Sequence, residues 1–344
     1  MRIRFFIILL ICYLSGAEAQ IRFTPALVYQ NIAEKGYTTQ EVVTRLANYY
    51  YALHLYSQAQ TWYEKLVTTV GYMPTAIDYY HYAHTLKELG KNKEAQKQME
   101  RFTSVSRLFF TDFIKTAVAP PNPNNRDYKE LIGLVLDGEN GKEIEGAAIT
   151  LFDAQMNVFL TTKSDSNSFF VLSDKQSQAL FEYGYLEVVK PEYEVSTTPL
   201  VFQKTGEMQQ IIQLDPLVQE VNTGDNLAIT FEIENIHFDY GRLNIRYDAS
   251  VQLAKILVFL EMNPMVSLDI KVHTDSRGDE DYNMKLSESQ AQSIWQWLVD
   301  KGIQTKRITA KGYGETQPVY DCENDSSCTE EQHQANKRVE FIIK

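Results

Sequence analysis

The sequence predicts a multidomain chain in which an all-α array of helical repeats is followed by an all-β sandwich and then by an α/β sandwich. Three observations predict it. Apolar residues recur at helical spacing from 38 to about 118. Three prolines and three asparagines fill 120–125, a composition that interrupts both helix and strand. Beyond that break the apolar period falls to two over 128–216, and over 226–344 it alternates between strand-like and helix-like stretches. At 344 residues the chain is long for a single core, and two or three domains are expected.

Residues 1–19 read as a secretory leader. Arg2 and Arg4 precede an apolar run from Phe5 to Leu14, and Ala17 and Ala19 supply the small residues of a cleavage site before Gln20. The run is short for a bilayer span, which takes about 20 apolar residues. A membrane anchor is the alternative. Cys12 lies inside the apolar run behind Ile11, where a lipid-attachment cysteine would need a small residue, so lipidation is not expected.

Residues 20–118 are expected to hold the helical repeats. Val43, Leu46, Ala47 and Tyr50 mark one helix; Ala59, Trp62, Tyr63 and Leu66 mark the next. A second unit follows with Tyr79, Tyr82, Ala83 and Leu86, then Ala95, Met99 and Phe102. Ala59 and Ala95 stand 36 residues apart, small enough to let paired helices approach closely. Gly90 suits a tight turn, and the helix near 101–117 suits a cap. The pattern resembles tetratricopeptide repeats, with Val43 where a tryptophan usually opens the repeat. A concave groove for a partner and a plain helical spacer both remain open. His81 and His84 share a helix face, but without a third ligand they read as surface histidines rather than a metal pair.

A Pro/Asn linker spans 119–127. In 128–216, Leu131–Leu136, Ala147–Phe152, Val158–Thr162, Phe169–Leu172, Leu186–Val189 and Ile211–Leu214 are strand-like, separated by turn signals such as Asp137-Gly138 and Asn140-Gly141. Short strands at this spacing predict a small sandwich. The run from Ile132 to Asp137, Gly141, and Gly146 to Leu151 resembles the carboxypeptidase regulatory-like domain, with Ser168 where that family usually has glycine. The stretch contains no histidine, so no zinc-peptidase activity is implied.

Residues 226–344 are expected in the order β-α-β-α-β-β. The strands are Ala228–Ile233, Val266–Val272, Arg307–Gly312 and Val339–Ile343. The helices are Tyr247–Glu261, closed by Pro264, and Ser287–Lys301, ended by Gly302. Val251, Ala254, Leu257 and Val258 form the apolar side of the first helix.

The formal net charge of −12 argues against nucleic-acid binding, which needs a basic face. No later run of about 18 apolar residues follows the leader. Cys322 and Cys328, an even pair in an exported chain, read as a disulfide closing a short loop, with an expected gain of about 2–3 kcal/mol. A zinc pair with His333 is the competing reading. No cofactor is expected. The serine-hydrolase and zinc-peptidase motifs are missing and no cysteine reads as catalytic, so an enzyme is not expected.

One series of residues carries a wider resemblance. It runs Val272-His273-Thr274-Asp275-Ser276-Arg277-Gly278, then Tyr282-Asn283 and Leu286-Ser287. Gly302-Ile303, Arg307-Ile308, Gly312-Tyr313-Gly314-Glu315 and Pro318 follow, and His333 and Asn336-Lys337-Arg338-Val339-Glu340 close it. In this order, over about 115 residues, it resembles the OmpA-like peptidoglycan-binding domain. The Cys322–Cys328 loop resembles a subgroup of these domains.

The resemblance implies a site for the diaminopimelate of a peptidoglycan stem peptide, which presents an ammonium and a carboxylate together. Asp275, in the Thr274-Asp275 motif, would be the acid. An arginine would be the base, but Gln290 stands in its place and brings no charge. A missing hydrogen bond to a charged group costs about 1–3 kcal/mol. Either Arg277 supplies the cation or the domain has lost tight wall binding. Ser287 and Gln290 also fit a capping box, which gives Gln290 a structural role. Asn283 would brace the loop and help hold ligand. Arg307 and Arg338 read first as braces or rim charges, with Arg338 kept among the candidate binding residues. Tyr240 follows the first strand, where the family's backbone meets ligand. The implied partners are peptidoglycan and an outer-membrane β-barrel protein, in the periplasm. The domain order also resembles accessory proteins of type IX secretion and gliding.

Overall fold

The structure, a computed structural model, describes residues 20–116, 129–153, 155–173, 183–201, 206–233, 236, 245–322 and 328–344. The leader, the Pro/Asn linker and Tyr240 lie outside the described residues. Two compact units form. One joins the chain up to Tyr37 with Glu220–Lys344; the other is Thr38–Gln219.

The first described elements are β1 (Ile21–Phe23) and α1 (Pro25–Glu34). Pro25 opens the helix where a missing N–H costs nothing. Residues 20–37 were expected to belong with the repeats, yet they group with the C-terminal unit. The reason is the apolar face of α1: Ala26, Val28, Tyr29 and Ile32 are buried, and α1 packs on a helix of that unit, α7, described below.

In the second unit come α2 (Gln40–Ala52), α3 (Tyr56–Thr68), α4 (Ala76–Glu88) and α5 (Asn92–Thr116). Thr39 and Thr75 cap α2 and α4, Thr75 in a reciprocal box with Asp78. Short connections fold consecutive helices onto each other. Ala59 and Ala95 are buried beside Leu66, Tyr82 and Leu86, as the 36-residue spacing predicts. His81 corrects an expectation: it is buried, not on the surface. Its ring stacks on Tyr51 at 4.3 Å, while His84 turns to the Tyr51 hydroxyl and Glu88. Among the described residues no group of His, Cys, Asp and Glu is arranged to hold a metal.

The sandwich contains β2 (Lys129–Asp137), β3 (Ala148–Asp153), β4 (Val158–Lys163), β5 (Phe169–Ser173), β6 (Tyr183–Val189), β7 (Ser196–Val201) and β8 (Gly206–Leu214). They form two sheets, β5-β2-β8 and β4-β3-β6-β7. Leu131, Val135, Ile149, Leu151, Leu186 and Ile212 draw the core from both. β7 was not read from the sequence because Pro199 lies in it. The strand is at a sheet edge, where a proline is tolerated. Gly133 is required: a Cβ there would meet the Phe170 ring at 2.4 Å. Ser168 has φ +61°, in the left-handed region that favours glycine.

Within this unit α4 and α5 lie on the sandwich. Phe102 packs against Tyr185 with ring centroids 5.6 Å apart, and the Ser106 and Tyr185 hydroxyls hydrogen-bond at 2.7 Å. Thr197 of β7 comes within 3.3 Å of His81 Nε2. Glu187 of β6 hydrogen-bonds Thr197, and burial raises its pKa from 4.5 to about 7. Burial likewise lowers that of His81 to about 3, helped by the charge of His84.

The C-terminal unit adds β9 (Gln219–Val221), which pairs with β1. There follow α6 (Leu227–Thr230), α7 (Tyr247–Met262), β10 (Leu268–His273), α8 (Glu280–Asp300), β11 (Ile308–Gly314), α9 (Glu330–Asn336) and β12 (Arg338–Ile343). The sheet order is β11-β10-β12, parallel then antiparallel. Two expectations are corrected. Ala228–Ile233 was read as a strand, but Asn226 caps a helical turn there. α8 begins seven residues before Ser287, because Asp279 caps it through Tyr282 N. α7 is buried beyond its predicted side, at Leu253, Ile256 and Leu260 as well. α1 covers it, and Phe23 packs against Phe231 and Phe259 at 5.5 and 5.2 Å. Lys255, also buried, donates to the Phe231 carbonyl at 3.0 Å.

Candidate binding site

The site forms where β10 ends and α8 begins. Thr274, buried, starts the connecting loop and its N–H donates to Gly314 O of β11. Asn283, one turn into α8, closes the loop from the other side. Its amide donates to Asp275 O, Arg277 O and Glu315 Oε2. α8 presses close to β11, since a Cβ on Gly312 would fall 2.1 Å from Glu288 N. Ser287 is buried mid-helix. It accepts from Gly314 N at 2.8 Å and donates to Met284 O. The expected Ser287–Gln290 capping box is therefore wrong: the serine ties helix to strand, and the cap is Asp279.

Asp275 is 3% exposed. Its Oδ2 accepts from Arg277 Nε at 2.6 Å and lies 2.6 Å from Arg277 Nη2 and 3.1 Å from Lys337 Nζ. The imidazole of buried His333 is 3.9 Å away. Arg277 also grips Glu330, at 2.9 and 3.4 Å. This pairing lowers the Glu330 pKa to about 2 and raises that of Arg277. A buried carboxylate is thus kept beside two cations, the condition for holding its charge out of water.

The structure brings Asp275, Arg277, Asn283 and Thr274 together. Gln290 lies two turns further along α8 than the expected first-turn position, part-buried, and brings no charge to the cluster. Arg338 pairs with Glu340 at 2.8 Å and donates to Gln317 O and Asn336 O, a brace geometry. Arg307 donates to Val266, Leu260 and Asn263 carbonyls, holding the end of α7. Sequence reasoning missed Lys337 and Glu330. The signal was there in Asn336-Lys337-Arg338, where only the second cation was singled out. His273 stacks on Tyr313 at 5.3 Å, and burial, then the Arg338 charge, lowers its pKa to about 4.

Cys322 and Cys328 are joined as a disulfide, with Cα atoms 5.6 Å apart, which removes the zinc reading. Asn336 accepts from Val319 N and Tyr320 N and donates to Tyr320 O, fixing the loop's start to α9.

Residues 237–332 match the model of the OmpA family. A 112-residue stretch is 39% identical to photosystem I P700 chlorophyll a apoprotein A2 of Gloeobacter violaceus, covering 32% of this chain and 13% of that protein. A 106-residue stretch is 33% identical to the peptidoglycan-associated lipoprotein of Brucella melitensis, covering 31% of this chain and 58% of that one. The chain thus spans less than two thirds of the length of either relative. The solved peptidoglycan-associated lipoprotein from Burkholderia pseudomallei aligns over 33% of this chain and 92% of its own, at 20% identity and a TM-score of 0.28.

Proposed function

We propose that the C-terminal third, an OmpA-like domain, binds peptidoglycan through Asp275, and that the chain is a non-enzymatic periplasmic tether. One observation carries the reading. A buried aspartate of the stretch that matches the OmpA family sits after β10 beside Arg277 of the same stretch and Lys337, five residues past its end. A ligand with an ammonium and a carboxylate on one end needs an acid and a base held this close. Diaminopimelate in the peptidoglycan stem has that chemistry. Asp275 takes the ammonium; Lys337, with a side chain 43% exposed, is the cation within reach of a ligand carboxylate. Thr274 and Asn283 hold the loop in place. The helices of Thr38–Gln219, tetratricopeptide-like in spacing, and the carboxypeptidase regulatory-like sandwich would hold an outer-membrane partner, a β-barrel protein being the natural kind.

Co-sedimentation with purified sacculi tests this. The wild type is expected to pellet and Asp275→Asn to stay in solution, while Gln290→Arg pellets at least as well as the wild type. A second reading has its own support: Asp275 is already neutralised internally and Gln290 is uncharged. On that reading the domain is a scaffold that has lost tight binding. Pelleting by Gln290→Arg alone would select it.

A further inference from the structure

A guanidinium offers two forked edges, and both edges of Arg277 are engaged. The Nε/Nη2 edge lies on Asp275 Oδ2; the Nη1/Nη2 edge lies on Glu330. While both contacts hold, Arg277 cannot grip a ligand carboxylate. Nor can a ligand ammonium reach Asp275 Oδ2 without moving Arg277 or Lys337.

α9 sets this arrangement. Thr329 caps the helix directly after Cys328, and Glu330 is its first residue. At the far end Asn336 lies 3.5 Å from Cys322 Sγ and binds the chain at Val319 and Tyr320. The disulfide thus ties both ends of α9, which carries Glu330 at its start and is followed at once by Lys337.

We propose that Glu330 is a positioning residue of this site: it clasps Arg277 across Asp275, so that a ligand bearing a primary ammonium competes with a guanidinium held in place on Asp275 Oδ2. This rests on the peptidoglycan reading above and adds what governs access to Asp275. The clasp is half in solvent, with Glu330 60% and Arg277 33% exposed. Exposed ion pairs are weak, so removing it should tighten binding by about two- to fivefold.

The experiment uses the chain from Gln20 onward and two readouts. One is calorimetric titration with a purified stem peptide containing diaminopimelate. The other is the hydrogen-exchange rate of the Arg277 Nε–H by NMR, which needs no ligand. Glu330→Gln should speed the exchange and lower Kd two- to fivefold. Glu330→Asp, which keeps the charge, should restore most of the protection. The Cys322→Ser/Cys328→Ser double variant should follow Glu330→Gln. Unchanged exchange in Glu330→Gln overturns the proposal, as does a Kd that is equal or weaker while exchange speeds up. If the peptide binds neither the wild type nor any variant, the peptidoglycan reading fails, and the exchange rates alone decide the role of Glu330.

Discussion

Asp275 and Glu187 are both carboxylates withdrawn from water, one in each unit, and the two units treat them oppositely. Around Asp275 two cations approach within about 3 Å, so the acid is ion-paired. Around Glu187 stand Thr197, His81 and tyrosines 51 and 80, none of which brings a positive charge while His81 is neutral. That acid sheds its charge by keeping a proton to about pH 7. A paired charge can be exchanged for a ligand's charge. A neutralised one has no charge to exchange with a ligand. The first cluster is therefore the candidate site, and the second is a joint between the helices and the sandwich.

The sharpest way to break this comparison is to make the same isosteric change in both. Asp275→Asn strips a buried acid from its cations and should cost about 3 kcal/mol at pH 7, the low end for a broken buried pair because Arg277 and Lys337 can turn to water. Faster hydrogen exchange in β10 and α8 would register it. Glu187→Gln should do the reverse. Folded Glu187 holds a proton up to about pH 7 that the unfolded chain releases near 4.5, so its contribution to stability is lost as pH rises between those values. The amide should differ by less than about 1 kcal/mol at pH 5 and stabilise by about 3 kcal/mol at pH 8, read from exchange in α4 and β6. Destabilisation at pH 8 would mean that Glu187 is charged and paired, and the contrast would collapse.

His81 carries the opposite slope. The unfolded chain protonates it near pH 6.5 and the folded unit only near 3, so stability falls as pH drops through that window. The two slopes offset each other between about pH 4.5 and 6.5.

Smaller effects sharpen the contrast by separating charge from backbone. Ser168→Gly relieves a left-handed serine without touching either cluster and should stabilise the sandwich by about 1 kcal/mol in thermal unfolding. Lys35→Ala removes an exposed pair with Glu261 at 3.0 Å. It should change stability by less than about 0.5 kcal/mol, and by still less at high salt.

Much of this was legible in the sequence. Ala59 and Ala95 gave the helix pairing, the Asp137-Gly138 and Asn140-Gly141 turns gave the sandwich, and the Thr274-Asp275 stretch gave the loop that holds the acid. The misses have local causes. Asp279 hid the start of α8 because the later Ser287-x-x-Gln290 looked like a better cap. Ala228–Ile233 has strand-like residues, but Asn226 turns them into a helix. Pro199 masked an edge strand. Lys337 and Glu330 were missed because they lie 62 and 55 residues after Asp275 in the chain and are brought by α9 to Asp275 and to Arg277 respectively. The destination of residues 20–37 was beyond any local pattern, since their partner helix lies more than 200 residues away.

That long-range partnership bears on how the chain would carry tension. β1 and α1 precede the whole of Thr38–Gln219 in the chain, yet their unit closes only when β12 arrives after it. Closing so long a loop costs little more than closing a shorter one, because the entropy grows only with the logarithm of length. The mechanical result is larger. Gln20 and Lys344 belong to the same unit, so a pull between them loads that unit alone. Thr38–Gln219 lies outside that path along the chain, and comes under strain only when something holds it directly.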